Sequence, residues 1–138
     1  MPGFELLPHT ADTGFRAYGE TLEELFIHAA EALISIALDP CHVAAFAPRQ
    51  ISASGATPEE LLVAWLNEVL YLLDGESFVP ARFEAVWFEP GGVCGQLLGE
   101  RRDDTRHPPR IVVKAATFHQ LQLREHNGGW EAEVYLDI

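Results

Sequence analysis

The 138-residue chain predicts an α+β protein, with two helices packed on a largely antiparallel or mixed β-sheet in a single domain over residues 1–138. Three observations carry this expectation. Two stretches repeat apolar residues at three- and four-residue steps behind capping boxes, and the remaining apolar stretches alternate with period two. Short turns rich in Gly, Asn and Pro join most of the alternating stretches, which favours hairpins and so antiparallel pairing.

Taken in order, residues 4–7 read as a short strand, followed by the polar loop Pro8-His9-Thr10-Ala11-Asp12. Residues 13–18 alternate, with Thr13, Phe15 and Ala17 on one face and Gly14, Arg16 and Tyr18 on the other. Thr21 with Glu24 then forms a capping box, and Leu22, Leu25, Phe26, Ala29, Leu33, Ile36 and Ala37 make an amphipathic stripe. Asp39-Pro40 ends that helix, because Pro cannot continue the hydrogen-bond ladder.

The strand-then-helix order recurs. Residues 49–54 read as a strand, and Thr57-Pro58-Glu59-Glu60 opens a second helix with its cap, a Pro at the first helical position and a glutamate that reaches back. Its stripe is Leu61, Leu62, Trp65, Leu66, Val69, Leu70 and Leu73, and Gly75 stops it. Everything after it reads as strand: 83–88, 93–98, 111–118, 121–124 and 130–138, with turns at Pro90-Gly91-Gly92 and Asn127-Gly128-Gly129. Residues 99–109 are the one long irregular stretch, charged and Pro-rich, as functional surface loops often are.

Twenty-one Asp and Glu against nine Lys and Arg give a net charge of −12, which repels nucleic acid phosphates. Direct nucleic acid binding is therefore not expected, whereas a basic protein or a cation is a natural partner. No basic segment followed by an apolar stretch opens the sequence, and no apolar run is long enough for a bilayer, so a cytoplasmic protein without membrane insertion is expected. Cys41 and Cys94 lack CxxC spacing and are expected to be inert structural thiols.

The candidate chemistry lies at the end of the chain. In residues 130–138, Trp130, Ala132, Val134, Leu136 and Ile138 share one face, so the Ile138 side chain is expected to be buried. That burial would fix the Ile138 carboxylate beside Asp137, two hard oxygen groups suited to Ca2+ or Mg2+ and not to zinc. The ordinary alternative is a solvated chain end. Asp12 is a further carboxylate for such a site, although Asp in a tight loop commonly bonds local amides.

Arg101, Arg102, Arg106, His107 and Arg110, with Lys114, form a basic stretch for phosphate or a carboxylate-rich partner, or a solvated loop balancing Asp103 and Asp104. Lys114 shares a predicted strand face with Val112 and Phe118, and His119 lies just beyond. No HExxH, GxGxxG, P-loop or GxSxG pattern is present, so the residues alone make no case for an enzyme.

Four segments taken together resemble the archease family. They are Pro8-His9-Thr10-Ala11-Asp12 leading into Arg16-Ala17-Tyr18-Gly19 and Thr21-Leu22-Glu23-Glu24; Trp65-Leu66-Asn67-Glu68-Val69-Leu70-Tyr71-Leu72-Leu73-Asp74; Arg106-His107 followed by Val113-Lys114-Ala115-Ala116-Thr117-Phe118-His119; and Leu136-Asp137-Ile138. The match covers essentially the whole chain in order. Phe118 stands where the family commonly has Tyr, and Ala116 where a larger residue is usual.

The resemblance implies a non-catalytic, cytoplasmic cofactor protein that activates RtcB-type RNA ligases, promoting guanylylation and multiple turnover in tRNA splicing and RNA repair. It also implies a calcium-type metal site at Asp12, Asp137 and the Ile138 carboxylate, with Mg2+ or Mn2+ as alternative ions. Lys114, Arg106, His107 and His119 are the candidates for partner contact. The competing readings are a metal-dependent hydrolase using the same carboxylates, and a chaperone-like protein-binding module.

Overall fold

Both helices begin where their capping chemistry places them. The computed structural model describes residues 3–7 and 13–138. In it Thr21 caps α1 (Leu22–Ala37), its hydroxyl accepting from the Glu24 amide at 3.1 Å, while the Glu24 carboxylate accepts from the Glu20 amide at 3.0 Å. Thr57 caps α2 (Pro58–Asp74) in the same way, accepting from the Glu60 amide at 3.2 Å, and Glu60 accepts from the Ala56 amide at 3.0 Å. In each case the Thr hydroxyl satisfies a helix amide that has no intrahelical acceptor, while the Glu carboxylate reaches past the cap to the amide of the residue before it.

The C-terminus of α2 follows a different rule from the one its glycine suggests. Gly75 is in the right-handed helical region at φ −79°, so no left-handed cap forms. A Cβ at this position would sit 2.7 Å from the Tyr71 ring, and close approach is what requires glycine.

The strands are β1 (Phe4–Leu7), β2 (Thr13–Gly19), β3 (Ala47–Ser54), β4 (Phe78–Glu89), β5 (Gly92–Arg101), β6 (Ala115–Ala116), β7 (Gln122–His126) and β8 (Gly129–Asp137). Among the described residues every pairing is antiparallel. The strands form two sheets. One runs β1-β2-β8, with β6 and β7 both paired to the far edge of β8, and the other runs β3-β5-β4. Asn127 and Gly128, at φ 51° and 79°, supply the two left-handed residues of the tight β7–β8 hairpin.

β4 starts earlier than its alternation suggested and passes through Pro80. The strand lies at a sheet edge and its register shifts between Pro80 and Arg82, so the missing amide interrupts the ladder only at a bulge.

Each helix contacts strands of both sheets, and one apolar cluster joins them. At its centre the buried Trp65 of α2 donates its indole N–H to the Phe26 carbonyl of α1 at 3.0 Å. Its ring packs at 6.1 Å from Phe26 and 5.8 Å from Phe83. Gly95 of β5 lies beneath the indole, where any Cβ would collide with it. Fully burying side chains of this kind contributes roughly 1.5–3 kcal/mol each.

Residues 111–118 depart most from expectation, since only Ala115–Ala116 pairs as strand. The burial pattern breaks the period of two: Val113 and Ala116 are buried, whereas Val112, Lys114 and Phe118 are exposed. The reason lies in α1, whose last turn has no basic residue and whose cap, Leu38, is not glycine. The Arg110 and Ile111 amides donate to the Ala37 and Ile36 carbonyls at 2.9 and 3.3 Å, so the backbone that enters this stretch completes a helix end and not a sheet.

Both cysteines are free. Cys41 is exposed, not buried, and Cys94 is half-buried. A hydrogen bond with Asp39 pushes the Cys41 thiol up from its ordinary pKa, and burial does the same for Cys94, so both favour the unreactive protonated form.

Candidate functional site at the end of β8

The end of β8 is held from both sides. Leu136, 3% exposed, pairs with Thr13 of β2 on one edge and with Ala116 of β6 on the other. Ala115 pairs with Asp137, and the Lys114 amide donates to the Asp137 carbonyl at 2.7 Å. Thr117 adds two bonds to the Tyr135 carbonyl, from its amide at 3.2 Å and its hydroxyl at 3.0 Å.

Among the described residues the ladder stops there. Neither β2 nor β6 pairs with Ile138, and its side chain is 46% exposed, which corrects the expectation that it would be buried. The tip is anchored by Leu136 instead. Asp137 is exposed, and among the described residues its carboxylate makes no hydrogen bond or ion pair. Asp12 lies outside the described residues; Thr13, which follows it in the chain, is the residue paired with Leu136. Among the described residues no group of three or more His, Cys, Asp or Glu is arranged to hold a metal ion.

β6 is also tied to α2 by a residue whose role the sequence did not reveal. Asn67 accepts from the Ala116 amide at 2.8 Å and donates to the Ala116 carbonyl at 3.3 Å, replacing a missing strand partner. The available signal was a polar residue beside the apolar stripe of α2, between Leu66 and Val69.

The basic stretch is turned largely inward. Arg102 donates to the Leu73 carbonyl at 3.3 Å and the Asp74 carboxylate at 2.9 Å, at the C-terminus of α2. Arg110 Nη1 donates to the Ser35 carbonyl at 2.9 Å, at the C-terminus of α1. Arg106 donates to Glu100 at 2.5 Å and to the His42 carbonyl at 3.0 Å. His107 is fully buried against Glu100, so it has no surface to offer a partner, which corrects its assignment as a contact residue. Among the described residues only Arg101 and Lys114, of the nine Lys and Arg, form no ion pair.

Lys114 therefore flanks the tip with an uncommitted, exposed side chain. His119 is exposed and donates its amide to Thr117 Oγ1 at 3.3 Å, further back along β8. Glu100 is held below the usual carboxylate range, first by the Ala44 amide at 2.7 Å and then by His107 and Arg106, against the opposing effect of burial. A cavity of about 700 Å³ lies at the other end of the β2–β8 ladder, near Tyr18, His28 and Trp130, and holds none of the residues expected to act.

Fold and tip together define a small α+β protein whose candidate chemistry projects from a strand end. The sequence model of the archease protein family (MTH1598/TM1083) matches residues 4–138. Protein archease of Methanosarcina mazei is 39% identical over 139 residues, covering 98% of this chain and 95% of that protein. Protein archease of Methanothermobacter thermautotrophicus is 35% identical and is covered over its whole length, as is this chain. The solution structure of Methanobacterium thermoautotrophicum protein 1598 matches with a TM-score of 0.82 and 34% identity over 100% of both chains. The crystal structure of a Thermotoga maritima archease, titled a possible chaperone, shares the fold at TM-score 0.62 and 19% identity, covering 96% of this chain and 94% of that one. The chain belongs to the archease family. No helix among the described residues is long and apolar enough to cross a membrane.

Proposed function

We propose that this chain is a non-catalytic, metal-binding cofactor protein that activates an RtcB-type RNA ligase, promoting its guanylylation and multiple turnover in tRNA splicing and RNA repair. The observation that supports this reading best is the end of β8, where the exposed Asp137 carboxylate, without a partner among the described residues, adjoins Ile138 on a strand fixed by β2 and β6. Family membership over the whole chain supplies the biological setting.

The donor chemistry fits a hard divalent cation. Asp137 and the Ile138 carboxylate offer anionic oxygens without competing partners among the described residues, and Asp12 would be the third group. Such a set suits Ca2+, with Mg2+ and Mn2+ as alternatives. A bound cation would neutralise part of the tip charge and supply a Lewis-acidic contact for oxygen ligands. The chain's own part is positional: Leu136 anchors the strand, and Lys114 and Ala115 fix the Asp137 backbone, with the Lys114 side chain exposed.

An activator shifts a ligase toward its nucleotide-loading conformation only by binding that state more tightly, and a tenfold shift requires about 1.4 kcal/mol of differential affinity. The net charge of −12 suits a cationic face on the ligase and leaves RNA to that partner. The test is multiple-turnover RNA ligation by a cognate RtcB-type ligase, with and without the chain. Stimulation beyond a single turnover is expected, and unchanged turnover contradicts the proposal.

A further inference from the structure

We infer that His107 is a positioning residue: as the neutral Nε2–H tautomer it latches residues 102–114 to β5 and thereby fixes Lys114 and β6 against the end of β8. The consequence for ligase activation rests on the function proposed above; the latch itself does not.

The backbone decides the tautomer. The Asp103 amide donates to His107 Nδ1 at 3.0 Å, so Nδ1 must present its lone pair and the ring proton lies on Nε2. Nε2 then donates to Glu100 Oε2 at 3.0 Å. The imidazole is fully buried and Glu100 is 6% exposed. Glu100 Oε2 also accepts from the Ala44 amide at 2.7 Å, and Oε1 accepts from Arg106 at 2.5 Å. One carboxylate on β5 thus gathers three donors, two of them from the turn at 103–107.

That turn is closed on itself, since the Arg106 and His107 amides donate to the Asp103 carbonyl at 3.0 and 2.7 Å. From His107 the chain is pinned at close intervals. The Pro108 carbonyl accepts from the Asp39 amide at 2.9 Å, Arg110 and Ile111 donate to the end of α1, Val113 is buried, and Lys114 donates to Asp137. Freeing the ring removes the fixed starting point of this path.

The charged groups that face the imidazole are Glu100 from β5 and Asp103 and Arg106 from its own segment, while residues 39–46 contribute the Ala44 amide and the His42 carbonyl to the cluster. A second proton on Nδ1 would point at the Asp103 N–H. Two donors cannot share that bond, so the latch requires the neutral ring.

Nitrogen-15 histidine NMR on the full chain tests the tautomer, and amide exchange across a pH titration tests the latch. We expect Nδ1 unprotonated and Nε2 protonated in the latched state, as the two hydrogen bonds require. Protection at Arg110, Ile111 and Lys114 should fall at least tenfold as His107 takes up its second proton, while the β4–β5 ladder keeps its protection. His107→Gln should show weaker protection at Lys114 and no step with pH. An Nδ1–H tautomer, or Lys114 protection that ignores the charge on His107, overturns the inference. If the variant fails to fold, the titration of the wild-type protein decides alone. In ligation assays His107→Gln should lower stimulation and remove a pH dependence seen with the wild type. Absence of stimulation by the wild-type chain would count against the proposed function and leave the latch to be judged by NMR.

Discussion

Arg110 closes a helix that lies 75 positions away in sequence: its Nη1 donates to the Ser35 carbonyl at 2.9 Å. Its amide and that of Ile111 serve Ala37 and Ile36, and the Leu38 amide serves Ile34, so carbonyls 34–37 of α1 each have a donor. Arg102 acts in the same way at the end of α2. These two cations sit at the negative ends of helix dipoles.

Arg110→Ala should therefore destabilise the fold by about 1–2 kcal/mol, the loss of a charge-assisted bond to a helix end. Urea denaturation should show a lower midpoint with an unchanged slope. An unaltered midpoint would mean that water replaces the guanidinium at no cost.

Asn67→Leu removes both bonds to Ala116 while keeping the side-chain bulk, and should cost about 1–3 kcal/mol because a buried amide and carbonyl lose their partners. Amide exchange should quicken at Ala116 and leave the β3–β5 ladder unchanged. Equal protection at Ala116 in both proteins would remove Asn67 from the support of the tip.

Glu100 sets part of the acid limit. Its folded-state pKa lies below the ordinary value, so its contribution is fully present above the unfolded carboxyl pKa and is lost as pH falls through the folded one. Asp39 and Asp103 are lowered too, chiefly by hydrogen bonds with Cys41 and Thr105. Stability should fall as pH drops below the ordinary carboxylate range, and Glu100→Gln should flatten that slope. Equal slopes would place the acid sensitivity elsewhere.

The features legible in the sequence are those with local causes. Thr21 with Glu24, Thr57 with Glu60 and Asn127-Gly128 act on amides a few residues away, and each forms as its motif implies. Residues 111–118 misled because alternation reports a side-chain pattern and not where amides donate; Arg110 and Ile111 turn to α1. Ile138 misled for a related reason: the parity of β8 points it inward, but among the described residues neither β2 nor β6 pairs with it. The Asn67–Ala116 pair joins residues brought together only by the fold, and the Glu100–His107 pair depends on how the turn at 103–107 folds back onto β5. Asp137 was recognisable as a strand-end carboxylate, whereas the support around it was not.

Asp137→Ala should leave stability within about 0.5 kcal/mol, because an exposed side chain is removed while Leu136 stays buried. Ca2+ at a hundred times its dissociation constant should raise the unfolding free energy of the wild-type chain by about 2.7 kcal/mol. The variant should lose that gain. Equal stabilisation of both proteins by Ca2+ would place any metal site away from the tip.

The most direct test of the tip as the activating element is guanylylation of a cognate RtcB-type ligase, followed as covalent nucleotide on the ligase over time, with wild-type chain and with Asp137→Ala. The account predicts faster guanylylation with the wild type and the unassisted rate with the folded variant. Equal acceleration by the two proteins would contradict it.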